Sequence, residues 1–111
     1  MNRFSCADFT FPVMDRNAAL RLVTLLGFSH VDVGYFARSS HFSPVDFQAS
    51  PRTYTAQVVG DLKAAGLEVS DVFLQLGVDP ADCSANDPDP KQRQLNRGAF
   101  LQAIEFCVAL G

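Results

Sequence analysis

The feature that most constrains this 111-residue chain is an internal repeat. The stretches LLGFSHVDVGYF (residues 25 to 36) and AAGLEVSDVFLQ (64 to 75) both run from a small or apolar pair through glycine and an apolar residue to Asp-Val. Gly27 aligns with Gly66, and Asp32 and Asp71 then fall at the same offset. The closing VALG sets Gly111 as a third such glycine. A self-similar period of this size is the length of one supersecondary unit, so the fold is expected to be built from repeated strand and helix pairs.

Each unit reads as a helix, a glycine cap and a strand. Asp15 is placed to cap a helix whose apolar stripe is Ala19, Leu20, Val23 and Leu26, because a carboxylate accepts from the unpaired N–H groups of the first turn. Ser50 and Pro51 open a second helix with Tyr54, Val58, Leu62 and Ala65 on one face, and Asp89 and Pro90 open a third with Phe100, Ala103, Ile104, Cys107 and Leu110. The segments His30 to Phe36 and Glu68 to Leu76 are short and rich in Val, Phe, Leu and Tyr, as is a stretch around Arg3 to Phe9, and these read as strands. Strand followed by helix, three times over, predicts an α/β fold with parallel strands, in units spanning about 3–26, 30–65 and 68–110 of a single domain over residues 1–111.

Alternation along the strands assigns their faces. Val31, Val33 and Tyr35 are expected opposite Asp32 and Gly34, and Ser70, Val72 and Leu74 opposite Val69, Asp71, Phe73 and Gln75. Two repeat-matched carboxylates on one face are costly to bury under helices. They suit the interior of a barrel near its mouth, which favours a barrel over a doubly wound sheet.

Composition and charge narrow the class. A net charge of −3 and a pI near 5.1 argue against a nucleic-acid partner. Cys6, Cys83 and Cys107 are odd in number and form no CxxC pair, so neither a disulfide framework nor a cysteine zinc site is indicated and a cytoplasmic setting is expected. Cys6 and Cys107 read as small core residues, and His30 as a loop or surface residue. No window carries a signal peptide or the roughly 18 apolar residues of a membrane span. Neither DFTFPVMD nor QLGVDP supplies the GxGxxG turn of a dinucleotide-binding unit.

The ordered succession GFSHVDVGYF, SHFSP, AGLEVSDVFLQLG and NDPDPKQRQLNRGAFLQAIEFCVALG resembles the N-terminal part of the xylose isomerase-like TIM barrel superfamily, the sugar phosphate isomerases and epimerases. The resemblance covers nearly all of the chain. It implies the first three βα units of a (β/α)8 barrel, whose eight units need roughly 250 residues. It also implies a divalent metal and a sugar or polyol substrate. The family's metal and acid/base residues, Glu, Asp, His and Glu at the ends of later strands, have no counterpart here, so catalytic and metal residues are expected elsewhere and this chain alone is expected to be inactive.

Barrel sites lie at the C-terminal ends of the strands, which places Asp8 to Phe11, Tyr35 to His41 and Gln75 to Gly77 at the mouth. The segment from Phe36 to Ser50 reads as a long loop. Tyr35 and His41 are the candidates to hydrogen-bond substrate hydroxyls, Asp32 to orient a ligand, and Gln75 to contact substrate at a strand end. Gln75 stands where a metal-binding endonuclease of the same superfamily would offer histidine, which counts against DNA repair. The competing reading is a non-catalytic α/β interaction module that forms homo-oligomers through its open sheet edges.

Overall fold

A computed structural model describes residues 3–38, 41–79 and 81–111. Three strands, β1 (Ser5–Ala7), β2 (His30–Phe36) and β3 (Glu68–Gln75), alternate with four helices, α1 (Arg16–Leu25), α2 (Pro44–Ala49), α3 (Pro51–Ala65) and α4 (Pro90–Leu110). The sheet is wholly parallel and its order is β1-β2-β3, so each strand lies beside its predecessor in the chain. The α/β class and the repeating strand and helix units follow the sequence pattern. No described helix is long and apolar enough to cross a membrane.

The repeat has a structural basis in its glycines. Gly27 and Gly66 adopt φ of 93° and 70°, the left-handed region that costs other residues a clash with their own Cβ. Beyond each, the next residue reaches back five positions, Phe28 N–H to the Val23 carbonyl at 3.3 Å and Leu67 N–H to the Leu62 carbonyl at 3.0 Å. That bond satisfies a terminal helix carbonyl and turns the chain into the next strand. The two units also lock together where their helices end, for Thr24 Oγ1 donates to the Ala65 carbonyl at 2.7 Å. At the opening ends, Asp15 accepts from Ala18 N–H at 2.9 Å and Asp89 from Lys91 N–H at 3.0 Å. Ser50 makes no side-chain cap, because the chain has just left α2 there and Ser50 N–H bonds back to Asp46 and Phe47 carbonyls.

One cluster forms the core, on one side of the sheet. Val31, Val33 and Tyr35 of β2 meet Leu20 and Val23 of α1, Phe47 of α2, Tyr54, Val58 and Leu62 of α3, and Ala103 and Phe106 of α4. Apolar burial of about 1.5–3 kcal/mol per large side chain drives this packing. Aromatic rings dominate its centre, with Phe106 stacked on Tyr35 at a centroid distance of 4.5 Å.

Four details differ from the sequence pattern. First, β1 is shorter than Arg3 to Phe9, since Asp8–Thr10 turns into a 3-10 helix. Second, the expected loop between Phe36 and Ser50 contains α2, capped by Ser43. Third, the pairing of β2 with β3 slips by one residue between Val31 and Asp32, so that Val31 opposes Val69 and Asp32 opposes Asp71. This bulge puts both Val69 and Val72 against the core, whereas strict alternation had assigned Val69 to the Asp71 face. Fourth, Leu26 and Ile104 are exposed, and the residues that α4 buries are Asn96, Ala103 and Phe106. Apolar residues surround the last three turns of α4, so periodicity does not single out its buried face.

Candidate functional site

The carboxyl ends of β1 and β2 bring together residues far apart in sequence. As the chain leaves β1 it tightens into the 3-10 turn, with Phe11 N–H bonded to the Asp8 carbonyl, and the Asp8 side chain turns inward and is fully buried. Its Oδ1 accepts from Gly34 N–H at 2.6 Å, and its Oδ2 lies 2.6 Å from His41 Nδ1. The other ring nitrogen of His41, Nε2, meets the Met14 carbonyl oxygen at 2.8 Å. Burial pushes the Asp8 carboxyl above its ordinary value, while the Gly34 N–H and the His41 ring act in the opposite direction.

A second set of contacts holds the same segment from the helix side. Arg16, the first residue of α1, donates Nε to Asp61 of α3 at 2.9 Å and Nη1 to the His41 carbonyl at 3.4 Å. Its guanidinium lies 5.7 Å from the ring centres of both Phe42 and Tyr54. Ser43 N–H donates to the Tyr54 hydroxyl at 2.7 Å. His41 therefore joins the first βα turn to the segment that leads into α2, and both ring nitrogens are engaged within the protein. Residues 39 and 40 of the expected mouth segment lie outside the described residues.

The remaining sequence candidates are scattered. Tyr35 points to the helix side, with its ring 1 % exposed between Phe47 and Phe106. Its hydroxyl has no hydrogen-bond partner among the described residues, and burial pushes the phenol strongly up, with Tyr54 and Cys107 adding to the shift. That position takes Tyr35 away from the open face of the sheet. Asp32 lies on the open face and accepts from Ser5 Oγ at 2.8 Å. Asp71, its register partner, is exposed and accepts from Val72 N–H. Gln75 ends β3 beside a hollow of about 310 Å³ shared with Leu74, Leu76, Asp82, Cys83 and Ser84, and its Nε2 donates to the Val78 carbonyl at 3.2 Å. His30 sits at the opposite end of β2, 3.4 Å from the Glu68 carboxylate.

Three aromatic rings cover part of the open face. Phe9 lies 5.2 Å from Phe36 and 5.5 Å from Phe73, edge-on to the latter. Gly34 lets them approach, since a Cβ there would stand 2.7 Å from atoms of both Phe9 and Phe36. Phe73 remains 49 % exposed.

Asp8 and Arg16 carry the geometry of this region, yet neither stands out in the sequence. The only signal for Asp8 is a lone carboxylate directly after a strand, and its pairing across 33 residues with His41 has no local signature. No family model matches this sequence, and no curated protein matches it. Among the described residues no group of three or more His, Cys, Asp or Glu side chains is placed to hold a metal ion. Asp8 and His41 spend their donor atoms on each other, Gly34 and Met14, so they do not fit a metal either. The three cysteines are free thiols, and burial pushes Cys6, Cys83 and Cys107 up, toward the neutral, unreactive form.

Proposed function

We propose that these units are the first three of a xylose isomerase-like barrel, and that the complete protein is a metal-dependent sugar or sugar-phosphate isomerase or epimerase. The observation that supports this reading best is the one-sided sheet. Its strands run in sequential parallel order, and helices α1, α3 and α4 all contribute to the core on the Val31, Val33 and Tyr35 side. A doubly wound sheet carries helices on both faces and reverses its strand order, whereas a barrel keeps helices outside and one face inward. Asp32, Gly34 and Phe73 occupy the face that would turn inward.

On this reading Asp32 and Gln75 are the substrate-side candidates that stay on the open face or at its end, while Tyr35 and His41 hold the framework. The divalent metal implied by the resemblance would polarise a substrate carbonyl or hydroxyl, held by residues other than those described here. The decisive experiment uses the product of the whole reading frame, incubated in D2O with a panel of aldoses, ketoses and their phosphates. Deuterium incorporation at the carbon next to the carbonyl, followed by proton NMR and abolished by a chelator, is the expected result. The absence of both exchange and conversion of any sugar into an isomer or epimer, with any of magnesium, manganese, cobalt or zinc ions, sinks the proposal.

One observation favours a non-catalytic module that self-associates. β1 and β3 each have only one strand neighbour among the described residues, and unpaired strand edges invite a second copy. Sedimentation separates the two readings, because the module requires a defined oligomer and an enzyme built on one closed barrel does not.

A further inference from the structure

The His41 ring fixes a proton count. The Met14 carbonyl oxygen can only accept, so His41 Nε2, 2.8 Å away, carries a hydrogen. Asp8 Oδ2 and His41 Nδ1 stand 2.6 Å apart, a separation that requires a second hydrogen between them, on one atom or the other. Asp8 Oδ1 is already engaged by Gly34 N–H. The pair thus holds one proton more than a free carboxylate and a neutral imidazole hold together. Its side chains are 0 % and 7 % exposed, so water cannot take over the contact when that proton leaves. A carboxylate oxygen would then face a bare nitrogen lone pair.

We propose that the Asp8–His41 pair is a proton-dependent tether. It fastens the segment His41 to Ser43, and with it the start of α2, to the carboxyl ends of β1 and β2, and it loosens as pH rises. This device is independent of the reaction assigned to the barrel. Other titratable and charged groups stand on the elements around the pair. Cys6 on β1 interacts electrostatically with Asp8, and Arg16 on α1, paired with Asp61 on α3, donates to the His41 carbonyl. Tyr54 on α3 accepts from Ser43 N–H, and Asp32 on β2, Asp15 at the start of α1 and Asp46 on α2 are bonded to or coupled with residues other than the pair. Burial pushes both the Cys6 thiol and the Tyr54 hydroxyl up, so neither supplies the titration near neutral pH.

The sign follows from linkage. Wherever the released segment leaves a carboxylate and a neutral imidazole, it holds one proton fewer than the closed pair, so closing takes up a proton and alkali favours release. The raised Asp8 carboxyl has the same sign, contributing stability at low pH that is lost as pH rises through its elevated native value. Arg16 and the Tyr54 hydroxyl keep holding the segment through backbone groups, which confines the loosening to one part of the fold.

Hydrogen exchange followed by mass spectrometry on the intact protein tests this, with rates corrected for the intrinsic pH dependence of exchange. Protection of the peptide spanning 41–49 should fall about tenfold or more between about pH 6 and about pH 9, while a peptide from α3 keeps its protection. Asp8→Asn gives the opposite arm. Its carbonyl oxygen keeps Gly34 N–H and its amide donates to an unprotonated Nδ1, so a neutral imidazole suffices and the slope should vanish or reverse. A flat profile for the unaltered protein overturns the tether, as does an Asp8→Asn variant that folds and follows the unaltered profile. Should that variant fail to fold, the profile of the unaltered protein decides alone.

Discussion

Strands β2 and β3 carry the two copies of the repeat and live in different environments. In β2, Val31, Val33, Gly34 and Tyr35 are all buried, whereas no residue of β3 is, and Phe73 and Leu74 are 49 % and 39 % exposed. Both begin after a left-handed glycine and both carry Asp-Val at the same offset. β2 has a strand on either side, the helix core over one face and Phe9 over part of the other. β3 has one strand neighbour among the described residues. The repeat therefore specifies an element and its entry turn, and the place of that element in the sheet specifies how much of it is buried.

The sharpest way to break this contrast is at the layer above β2. Phe106→Ala removes the ring stacked on Tyr35 and should cost about 3–5 kcal/mol in denaturant unfolding, while Ile104→Ala, on an exposed part of the same helix, should stay within about 0.5 kcal/mol. Equal losses at the two positions would mean that α4 packs with a different face.

Next in size is the register pair Gly34 and Phe73. Gly34→Ala forces a methyl group to 2.7 Å from the Phe9 and Phe36 rings, and should cost about 1–3 kcal/mol. Phe73→Ala across the pair gives up one edge-on ring contact with Phe9 and should cost less than Gly34→Ala, about 0.5–1.5 kcal/mol beyond its small area burial.

The paired aspartates give a smaller effect. Asp32→Ala leaves Ser5 Oγ without its acceptor and should cost about 1 kcal/mol, against about 0.5 kcal/mol or less for Asp71→Ala, whose bond is to its own neighbour's N–H. The substitution expected to act in the opposite direction is Tyr35→Phe. It deletes a buried hydroxyl that has no partner among the described residues, so stability should rise by up to about 1 kcal/mol, and a loss above about 2 kcal/mol would reveal a partner.

Much of the fold is legible because it rests on local signals. Asp15 and Asp89 cap helices, Gly27 and Gly66 end them, and the Val-rich segments after those glycines become parallel strands. Where several registers satisfy the same pattern, the sequence is silent. The one-residue slip beside Asp32, the choice of Phe106 over Ile104 and the short helix α2 each depend on what the neighbouring element offers. The candidate site is less legible still, since Asp8, Arg16 and His41 meet across gaps with no periodicity, and Tyr35 faces the core although it stands near the end of its strand.

What the sequence determined alone is the set of elements and their hinges, because caps, turns and alternation act over a few residues, within reach of the chain's own backbone. The tertiary structure alone decided which face of α4 is buried, how the bulge turns Val69 of β3 to the core, and which polar groups pair. Burial and desolvation depend on every atom that surrounds a group, and for Asp8 those atoms come from Gly34 and His41, brought to it only when the strands align.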